Sequence, residues 1–242
     1  MLRNNNRVAD EMRPMVITSG YMKYAEGSCL VEVGDTKVIC TASVDYKVPP
    51  FLKDKEEGWL TAEYSMLPRS TQSRIPRDSS KGKVNGRAQE IQRLIGRSLR
   101  SVINFSYFPG ITILIDCDVI SADGGTRTAS ITGAYVAAYL AFLNLIKQEK
   151  IEKMPFYDSV AAISIGIVNG EILVDLDYSE DSTADLDFNF ILTGSQKIIE
   201  IQGCAEKTPI EFEVFGKLYD LSKKAVAKIT ELQNNAISNT AI

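Results

Sequence analysis

Short apolar segments separated by turn residues predict a series of β-strands. Two pairs of these segments flank Gly34–Asp35 and Asn169–Gly170, dipeptides that favour the tight turn of a β-hairpin. Another pair flanks Gly194–Ser195. The predicted strands are residues 27–33, 36–44, 111–120, 160–168, 171–176, 188–192 and 197–202.

Three longer segments have the three-to-four-residue spacing of helices with an apolar face. Residues 126–148 are so rich in alanine and leucine that we expect burial on most sides. Residues 209–233 begin with Thr208-Pro209-Ile210-Glu211, a capping box with proline at the first helical position. Residues 87–104 carry a clear apolar stripe, formed by Ile91, Leu94, Ile95, Leu99 and Val102.

The regular spacing is lost in two places. Residues 49–83 contain several prolines and many polar residues, which predicts a long loop of the kind that is usually functional or mobile. Residues 234–242 are predicted to form a disordered tail. The order of strands and helices, with no clear repeat or linker, predicts an α+β fold in which helices pack on mixed sheets, as a single domain over residues 1–242.

The composition excludes several kinds of chemistry. The chain has no histidine, which removes Ser-His-Asp and Cys-His catalysis and histidine zinc sites. The four cysteines are scattered, so we expect small buried hydrophobic residues in a reducing compartment. The polar N-terminal segment lacks a signal-peptide pattern, and no run approaches the roughly 18 apolar residues of a membrane span. We therefore expect a cytoplasmic protein without membrane contact.

Positive charge is concentrated in one short segment of the chain, residues 69–100. Seven of the eleven arginines lie between positions 69 and 100, where nine positive charges face only two negative ones. The segment thus carries +7, although the whole chain carries −4. Arg93, Arg97 and Arg100 share one helical face. Arginine suits bidentate phosphate contacts, so this segment predicts a polyanion site; a solvated face or salt bridges to the acidic remainder is the alternative.

A glycine pair before the second helix predicts an anion site. In Asp123-Gly124-Gly125-Thr126-Arg127, the glycines allow a sharp turn and close approach by a ligand. The helix that follows points free N–H groups and its positive dipole end at this turn. The pattern differs from a P-loop, and an ordinary capped helix start is the alternative.

Carboxylates are concentrated later in the chain. Seven fall within residues 171–187, with no basic residue among them. A solvated loop and strand edge is one interpretation, and a cluster that binds Mg²⁺ or holds an acid of raised pKa is the other. Asp185 and Asp187 would share a face if strand geometry already holds there.

Several long motifs resemble the ribonuclease PH family over residues 7–225, nearly the whole chain. The resemblance implies the fold shared with ribosomal protein S5 domain 2 and a homohexameric ring, a trimer of dimers. It also implies a phosphorolytic exoribonuclease: inorganic phosphate removes 3′-terminal nucleotides from tRNA precursors as nucleoside 5′-diphosphates, and the reverse reaction adds nucleotides. The motifs are residues 25–44, 58–71, 86–100, 115–137 and 180–189.

The resemblance also implies roles for individual residues. Asp187 is expected nearest to the chemistry, as general acid or metal contact, and Asp181 supports it; both are candidate ligands for Mg²⁺. RNA contact is implied for Arg69, Arg74 and Arg77, and the basic helix face adds Arg93 and Arg97 to this path. The residues expected to bind phosphate are Arg87, Gly125, Thr126 and Arg127.

The departures from the family pattern leave the expected phosphate ligands in place. The start reads LRNNN rather than an Arg-Pro-rich segment, and Asp78-Ser79-Ser80 replaces residues that are commonly basic or small. Asp185 and Phe188 stand where glutamate and methionine are common. Related rings contain inactive members, so a non-catalytic RNA-binding ring subunit is the alternative to an active enzyme.

Overall fold

A computed structural model describes residues 3, 6–82, 85–207 and 209–240 of the chain. The nine strands of this part form two sheets. The strands are β1 (Met15–Ser19), β2 (Gly27–Val33), β3 (Thr36–Asp45), β4 (Trp59–Met66), β5 (Thr112–Ser121), β6 (Val160–Val168), β7 (Glu171–Val174), β8 (Leu186–Thr193) and β9 (Ile198–Ala205). The α-helices are α1 (Asp78–Lys81), α2 (Gly86–Arg100), α3 (Thr126–Lys147), α4 (Tyr178–Asp181) and α5 (Phe212–Ser238).

The first sheet has the strand order β1-β2-β3-β5-β4, and the second has the order β7-β6-β8-β9. All described pairs are antiparallel except β4 with β5, which are parallel. The expected α+β class with mixed sheets and packed helices is therefore confirmed.

Helix α3 joins the two sheets. It packs on β2 and β3 of the first sheet and on β6 of the second, and most of its side chains are buried. Its length and mean hydropathy of 1.6 would also suit a membrane span, but 78% of that apolar window is buried inside the protein, as in a core helix. The single domain over residues 1–242 stays a prediction. A single domain should unfold in one cooperative transition, which a melting experiment would test.

The predicted loop over residues 49–83 is wrong in its middle, because β4 lies there. Leu60, Ala62 and Tyr64 alternate with more exposed residues and are buried in the core that the first sheet forms with helices α2 and α3. This two-residue period was present in the sequence but was hidden by the prolines around it. The short strand β1 was missed as well.

Both ends of the last helix differ from the prediction. Helix α5 begins at Phe212 rather than at position 209, and Thr208 of the expected capping box lies outside the described residues. The helix continues to Ser238, so residues 234–238 do not belong to a disordered tail. Ala236 is buried, and its carbonyl accepts a hydrogen bond from the Ser19 hydroxyl at 2.9 Å, which ties the helix end to β1.

Three of the four cysteines are buried as expected. Cys29, Cys40 and Cys117 are cross-strand neighbours on β2, β3 and β5. Hydrogen bonding among these thiols and burial hold the pKa of Cys40 well above its ordinary value. The expectation was wrong for Cys204, which is exposed because β9 is an edge strand.

Candidate active site

Six residues that the sequence singled out line one cavity of about 240 Å³, the small cavity. They come from four separate segments, so only the fold brings them together. The start of α2, the start of α3, the end of α4 and the start of β8 each contribute to the wall. The six residues are Arg87, Gly125, Thr126, Arg127, Asp181 and Asp187.

Arg87 lies in the first turn of α2. The side chain of Asn85 caps this helix by accepting a hydrogen bond from the Arg87 backbone N–H at 2.9 Å. This cap fixes the backbone position from which the Arg87 side chain extends toward the cavity. Arg87 is exposed, and it also lines two neighbouring cavities.

The start of α3 has the geometry of an anion cradle. Gly124 and Gly125 both have positive φ, at 74° and 66°, and Gly125 is the N-cap residue without a side-chain cap. The first N–H groups of α3 are therefore left for a ligand, next to the positive end of the helix dipole. Glycine is required at position 124, because a Cβ there would lie 2.5 Å from the carbonyl oxygen of Leu176.

Tyr64 orients the hydroxyl of Thr126 toward this cradle. The Tyr64 hydroxyl donates to the Thr126 hydroxyl oxygen at 2.9 Å, and burial raises the pKa of Tyr64, which keeps this donor protonated. The proton of Thr126 therefore remains available to donate to an anion. The sequence does not reveal this role of Tyr64, because β4 lies within the predicted loop over residues 49–83.

Arg127 is positioned from the second sheet. Its side chain is 16% exposed, and its Nη1 donates to Gln202 Oε1 on β9 at 3.1 Å. The same nitrogen lies 3.5 Å from a carboxylate oxygen of Glu90. Arg87, Gly125, Thr126 and Arg127 together form what we call the basic wall of the small cavity.

Asp187 projects from β8 into the small cavity. Burial, followed by repulsion from Asp181, raises the pKa of Asp187 to about 6. Arg127, Arg87 and a long hydrogen bond from the Asn189 amide act in the opposite direction. The buried Oδ1 of Asp187 has no hydrogen-bond partner in the described part of the chain. A half-buried carboxyl with a free oxygen can hold a proton near neutral pH or accept a cation.

Asp181 ends the short helix α4 and is more exposed than Asp187. Loss of solvent raises its pKa, and the nearby Arg87 and Arg127 oppose this shift. Helix α4 is held by a capping box between Asp177 and Glu180. Asp181 and Asp187 form what we call the acidic wall of the small cavity.

The other acidic residues of segment 171–187 lie elsewhere. Asp175, Asp177 and Glu180 are buried in ion pairs with arginines near the N-terminus, so neither of the two sequence interpretations describes them. Asp185 precedes β8 and pairs with Lys207 at 2.5 Å, outside the small cavity. The strand geometry that would have aligned Asp185 with Asp187 begins only at residue 186.

A large cavity of about 590 Å³ adjoins the small one and shares part of its wall. Its other side is formed by Thr71, Gln72 and Ser73 from the segment after β4, and by Tyr178. A third cavity, of about 400 Å³, contains Arg77. The segment after β4 therefore lines the two cavities next to the small one.

The arginines expected to contact RNA fall into two groups. Arg69, Arg74, Arg77 and Arg93 are exposed. The Arg97 guanidinium is bound to Glu200 at 2.6 Å, the salt bridge that the sequence left open as an alternative. Arg100 stacks on the Trp59 ring and donates to the Leu60 carbonyl, so it supports β4.

The sequence of the chain matches the models of a known protein family. A family model described as "3' exoribonuclease family, domain 1" matches residues 11–143, and "3' exoribonuclease family, domain 2" matches residues 158–225. The chain is 54% identical to a Neisseria meningitidis serogroup C protein named Ribonuclease PH, over 96% of both chains. It is 53% identical to a Neisseria gonorrhoeae protein of the same name, again over 96% of both.

Solved structures confirm the fold. Rice Rrp46 has a TM-score of 0.78 at 16% identity, covering 97% of this chain and all of that one. A structure titled "archaeoglobus fulgidus exosome with RNA bound to the active site" has a TM-score of 0.79 at 22% identity, covering 95% of this chain and 91% of that one.

Proposed function

The chain belongs to the 3′ exoribonuclease family, and we propose that its small cavity carries out phosphorolysis of RNA 3′ ends. Inorganic phosphate, the co-substrate, attacks the last phosphodiester, and the terminal nucleotide leaves as a nucleoside 5′-diphosphate. The observation that carries this proposal is the convergence of the basic and acidic walls on one cavity large enough for a phosphate group.

The basic wall supplies what phosphate needs to act as a nucleophile. A phosphate dianion is available near neutral pH without a strong base, which agrees with the absence of histidine. The phosphate must be held in line with the bond between phosphorus and the leaving 3′-oxygen, and positive charge must reduce its repulsion from the negatively charged diester. Arg87, Arg127, the Thr126 hydroxyl and the N–H groups at the start of α3 surround the cavity for this purpose.

The acidic wall supplies the proton for the leaving group. When the bond between phosphorus and the 3′-oxygen breaks, that oxygen becomes the new RNA end and takes a proton. Asp187, with its pKa raised to about 6, remains partly protonated near neutrality and can donate it. The attacking phosphate loses its own proton as the diphosphate forms, and this proton restores Asp187. The reverse reaction uses the same steps backward.

The acidic wall also fits a magnesium ion. Two carboxylates that repel each other, one with an unpartnered oxygen, are the protein share of a typical Mg²⁺ site, which substrate phosphates complete. Among the described residues, no group of three or more histidine, cysteine or acidic side chains could hold a metal, so substrate oxygens are needed. Asp181 and Asp187 would hold the ion, which would neutralise charge on the reacting phosphates. An ion bound to Asp187 would keep that carboxylate deprotonated, so metal binding by Asp187 is the alternative to its role as proton donor.

The exposed arginines supply a path for RNA. Arg69, Arg74 and Arg77 lie on the segment that leads to the cavities, and Arg93 lies on the adjoining helix. Most protein contacts to nucleic acid go to phosphate and sugar oxygens, so we expect these exposed arginines to contact the RNA backbone rather than base edges. Arg97 is left out of this path, because Glu200 already neutralises it. The substrates we propose are tRNA precursors and other RNA 3′ ends.

We further propose a homohexameric ring, a trimer of dimers, in the cytoplasm. One structural relative is titled "Archaeal exosome core", and another is an exosome with RNA at its active site. In a ring, the exposed loop of one subunit can serve the cavity of its neighbour. The cytoplasmic location agrees with three buried, reduced cysteines. Light scattering after gel filtration measures the assembly, and a mass of about one or two subunits would contradict it.

The product identifies the reaction. The experiment incubates a short RNA with the protein and Mg²⁺, with and without inorganic phosphate, and separates the released nucleotides. We expect nucleoside 5′-diphosphates only when phosphate is present. Nucleoside monophosphates would indicate hydrolysis, and RNA binding without shortening would indicate a non-catalytic ring subunit.

A further inference from the structure

Three arginines near the N-terminus are buried, although none of them lines the three cavities. Arg3, Arg7 and Arg13 are 5%, 5% and 3% exposed. Buried charges require partners, and three buried carboxylates match these three arginines. The partners are Asp175, Asp177 and Glu180.

Arg13 joins two segments that lead to opposite walls of the small cavity. Its Nε and Nη2 donate to the two carboxylate oxygens of Asp175 at 2.9 and 2.7 Å, a bidentate pair. Its Nη1 donates to the carbonyl oxygen of Asp123, and its Nη2 lies 3.5 Å from the carbonyl oxygen of Gly124. One guanidinium thus holds both the cradle before α3 and the segment before α4.

The two segments are also in direct contact. Asp175 has φ of +59°, a left-handed conformation that is strained for a residue with a side chain. This bend carries Leu176 and Asp177 against Gly124, where no side chain fits. The Arg13 backbone N–H donates to the Asp175 carboxylate at 2.8 Å, in addition to the guanidinium contacts, so Arg13 holds the strained residue in place.

Thr36 anchors the same cradle from the first sheet. Its hydroxyl donates to the Gly124 carbonyl at 2.7 Å and accepts from the Asp123 N–H at 2.9 Å. The turn that presents Gly125 is therefore fixed by two side chains: Arg13, from the segment before β1, and Thr36, the first residue of β3. Neither of these side chains reaches the small cavity.

The remaining two arginines fix the acidic wall. Arg3 binds Glu180 with two nitrogens, at 2.7 and 2.8 Å, and Arg7 lies 3.4 Å from the same carboxylate. Glu180 belongs to the capping box of α4, and Asp181 follows it directly. Both walls are thereby tied to one N-terminal segment.

We infer that Arg13 is a positioning residue for phosphorolysis: it sets the anion cradle of α3 at a fixed place relative to the acidic wall. This inference rests on the proposed function. The physical reason is that the N–H groups of α3 and the Arg87 guanidinium hold one phosphate together only while the cradle keeps its place, because hydrogen bonds weaken steeply when their geometry is lost. Loss of Arg13 releases the Asp123–Gly124 carbonyls and the strained Asp175 together, so the cradle moves while Arg87, Thr126 and Asp187 stay chemically intact.

The experiment compares Arg13→Met and Arg13→Lys with Arg100→Met as the matched control. Arg100 is a half-buried arginine whose partners are a backbone carbonyl and the Trp59 ring, and it supports β4 rather than the cradle. The measurements are the KM for phosphate, the KM for RNA and the melting temperature. For Arg13→Met we expect a phosphate KM raised about tenfold or more, as for the loss of one hydrogen bond to a charged ligand, with the RNA KM changed less than about twofold. Arg13→Lys should lie between Arg13→Met and the wild type.

Thr36→Val tests the cradle without touching Arg13. It removes the second anchor of Gly124 and should also raise the phosphate KM selectively, even if Arg13→Met fails to fold. Equal changes in both KM values, or a phosphate KM that stays at the wild-type value in folded Arg13→Lys and Thr36→Val, would overturn the inference. Phosphate binding to the wild type by calorimetry separates this outcome from a failure of the proposed function, since a wild type that binds no phosphate contradicts both.

Discussion

The two walls of the small cavity are built in opposite ways. The basic wall consists of helix starts, where Arg87 and the N–H groups of α3 present fixed positive charge and hydrogen-bond donors. The acidic wall consists of two carboxylates that repel each other, and one has a pKa raised to about 6. The basic wall is therefore suited to holding an anion, and the acidic wall is suited to gaining and losing a proton during the proposed reaction.

The largest expected effect comes from the basic wall. Arg87→Ala removes a cation that lines all three cavities, and it should abolish phosphorolysis, with a loss of about 1000-fold or more in kcat/KM for phosphate. RNA binding should remain nearly normal, because the exposed arginines are unchanged. Near-normal activity with an unchanged phosphate KM would exclude Arg87 as a phosphate ligand.

The next effect comes from the acidic wall. Asp187→Asn keeps the shape of the side chain but removes the acid, and it should lower kcat about 100-fold while the phosphate KM changes little. The reverse reaction must fall in parallel, since both directions share a transition state. Asp181→Asn is the matched comparison. If Asp181→Asn loses activity and Asp187→Asn keeps it, our assignment of the two carboxylates is reversed.

The same substitution should stabilise the fold. The pKa of Asp187 in the folded protein, about 6, lies above the ordinary aspartate value near 4, so the folded state loses stability as pH rises through about 4 to 6. Asparagine carries no charge, so Asp187→Asn should gain about 1–2 kcal/mol over wild type at pH 7.5, after allowance for partial exposure. Urea unfolding at pH 7.5 and pH 4 measures this. The gain must be much smaller at pH 4, where Asp187 is protonated in the folded state and about half protonated in the unfolded state.

Single arginines outside the cavity should have the smallest effects. Arg77→Ala should weaken RNA binding several-fold for all sequences and reduce the salt dependence by roughly one counterion. Arg97→Ala is the matched control, and it should bind RNA like wild type because Glu200 already neutralises Arg97. Filter binding at several salt concentrations compares them. Sequence-selective loss in Arg77→Ala would indicate base recognition instead.

The sequence predicted the elements whose spacing is regular and local. The apolar stripe of α2 and the glycine turns of both hairpins are where they were expected. The prediction failed where a partner distant in sequence decides the structure. The prolines around β4 obscure its two-residue period, and its place in the sheet comes from parallel pairing with the distant β5; the end of α5 is held by Ser19 of β1.

The candidate site shows the same contrast between local sequence signals and contacts between distant residues. The six residues of the small cavity were found from motifs, because each motif is contiguous in the chain. No local pattern points to Tyr64 or Arg13. Tyr64 acts through Thr126, which is 62 positions away in the chain, and Arg13 acts through Asp175, which is 162 positions away. The sequence presents segment 171–187 as one acidic cluster, yet buried arginines bind three of its seven carboxylates and only two of the others line the cavity.

The most direct test of the division between the walls is one steady-state comparison. It measures kcat and the phosphate KM of wild type, Arg87→Lys and Asp187→Asn on the same RNA across a full phosphate titration. We predict that Arg87→Lys mainly raises the phosphate KM, because a point charge replaces a fork of donors, and that Asp187→Asn mainly lowers kcat. If both variants change the same parameter to the same extent, the two walls do not have separate roles and the account is contradicted.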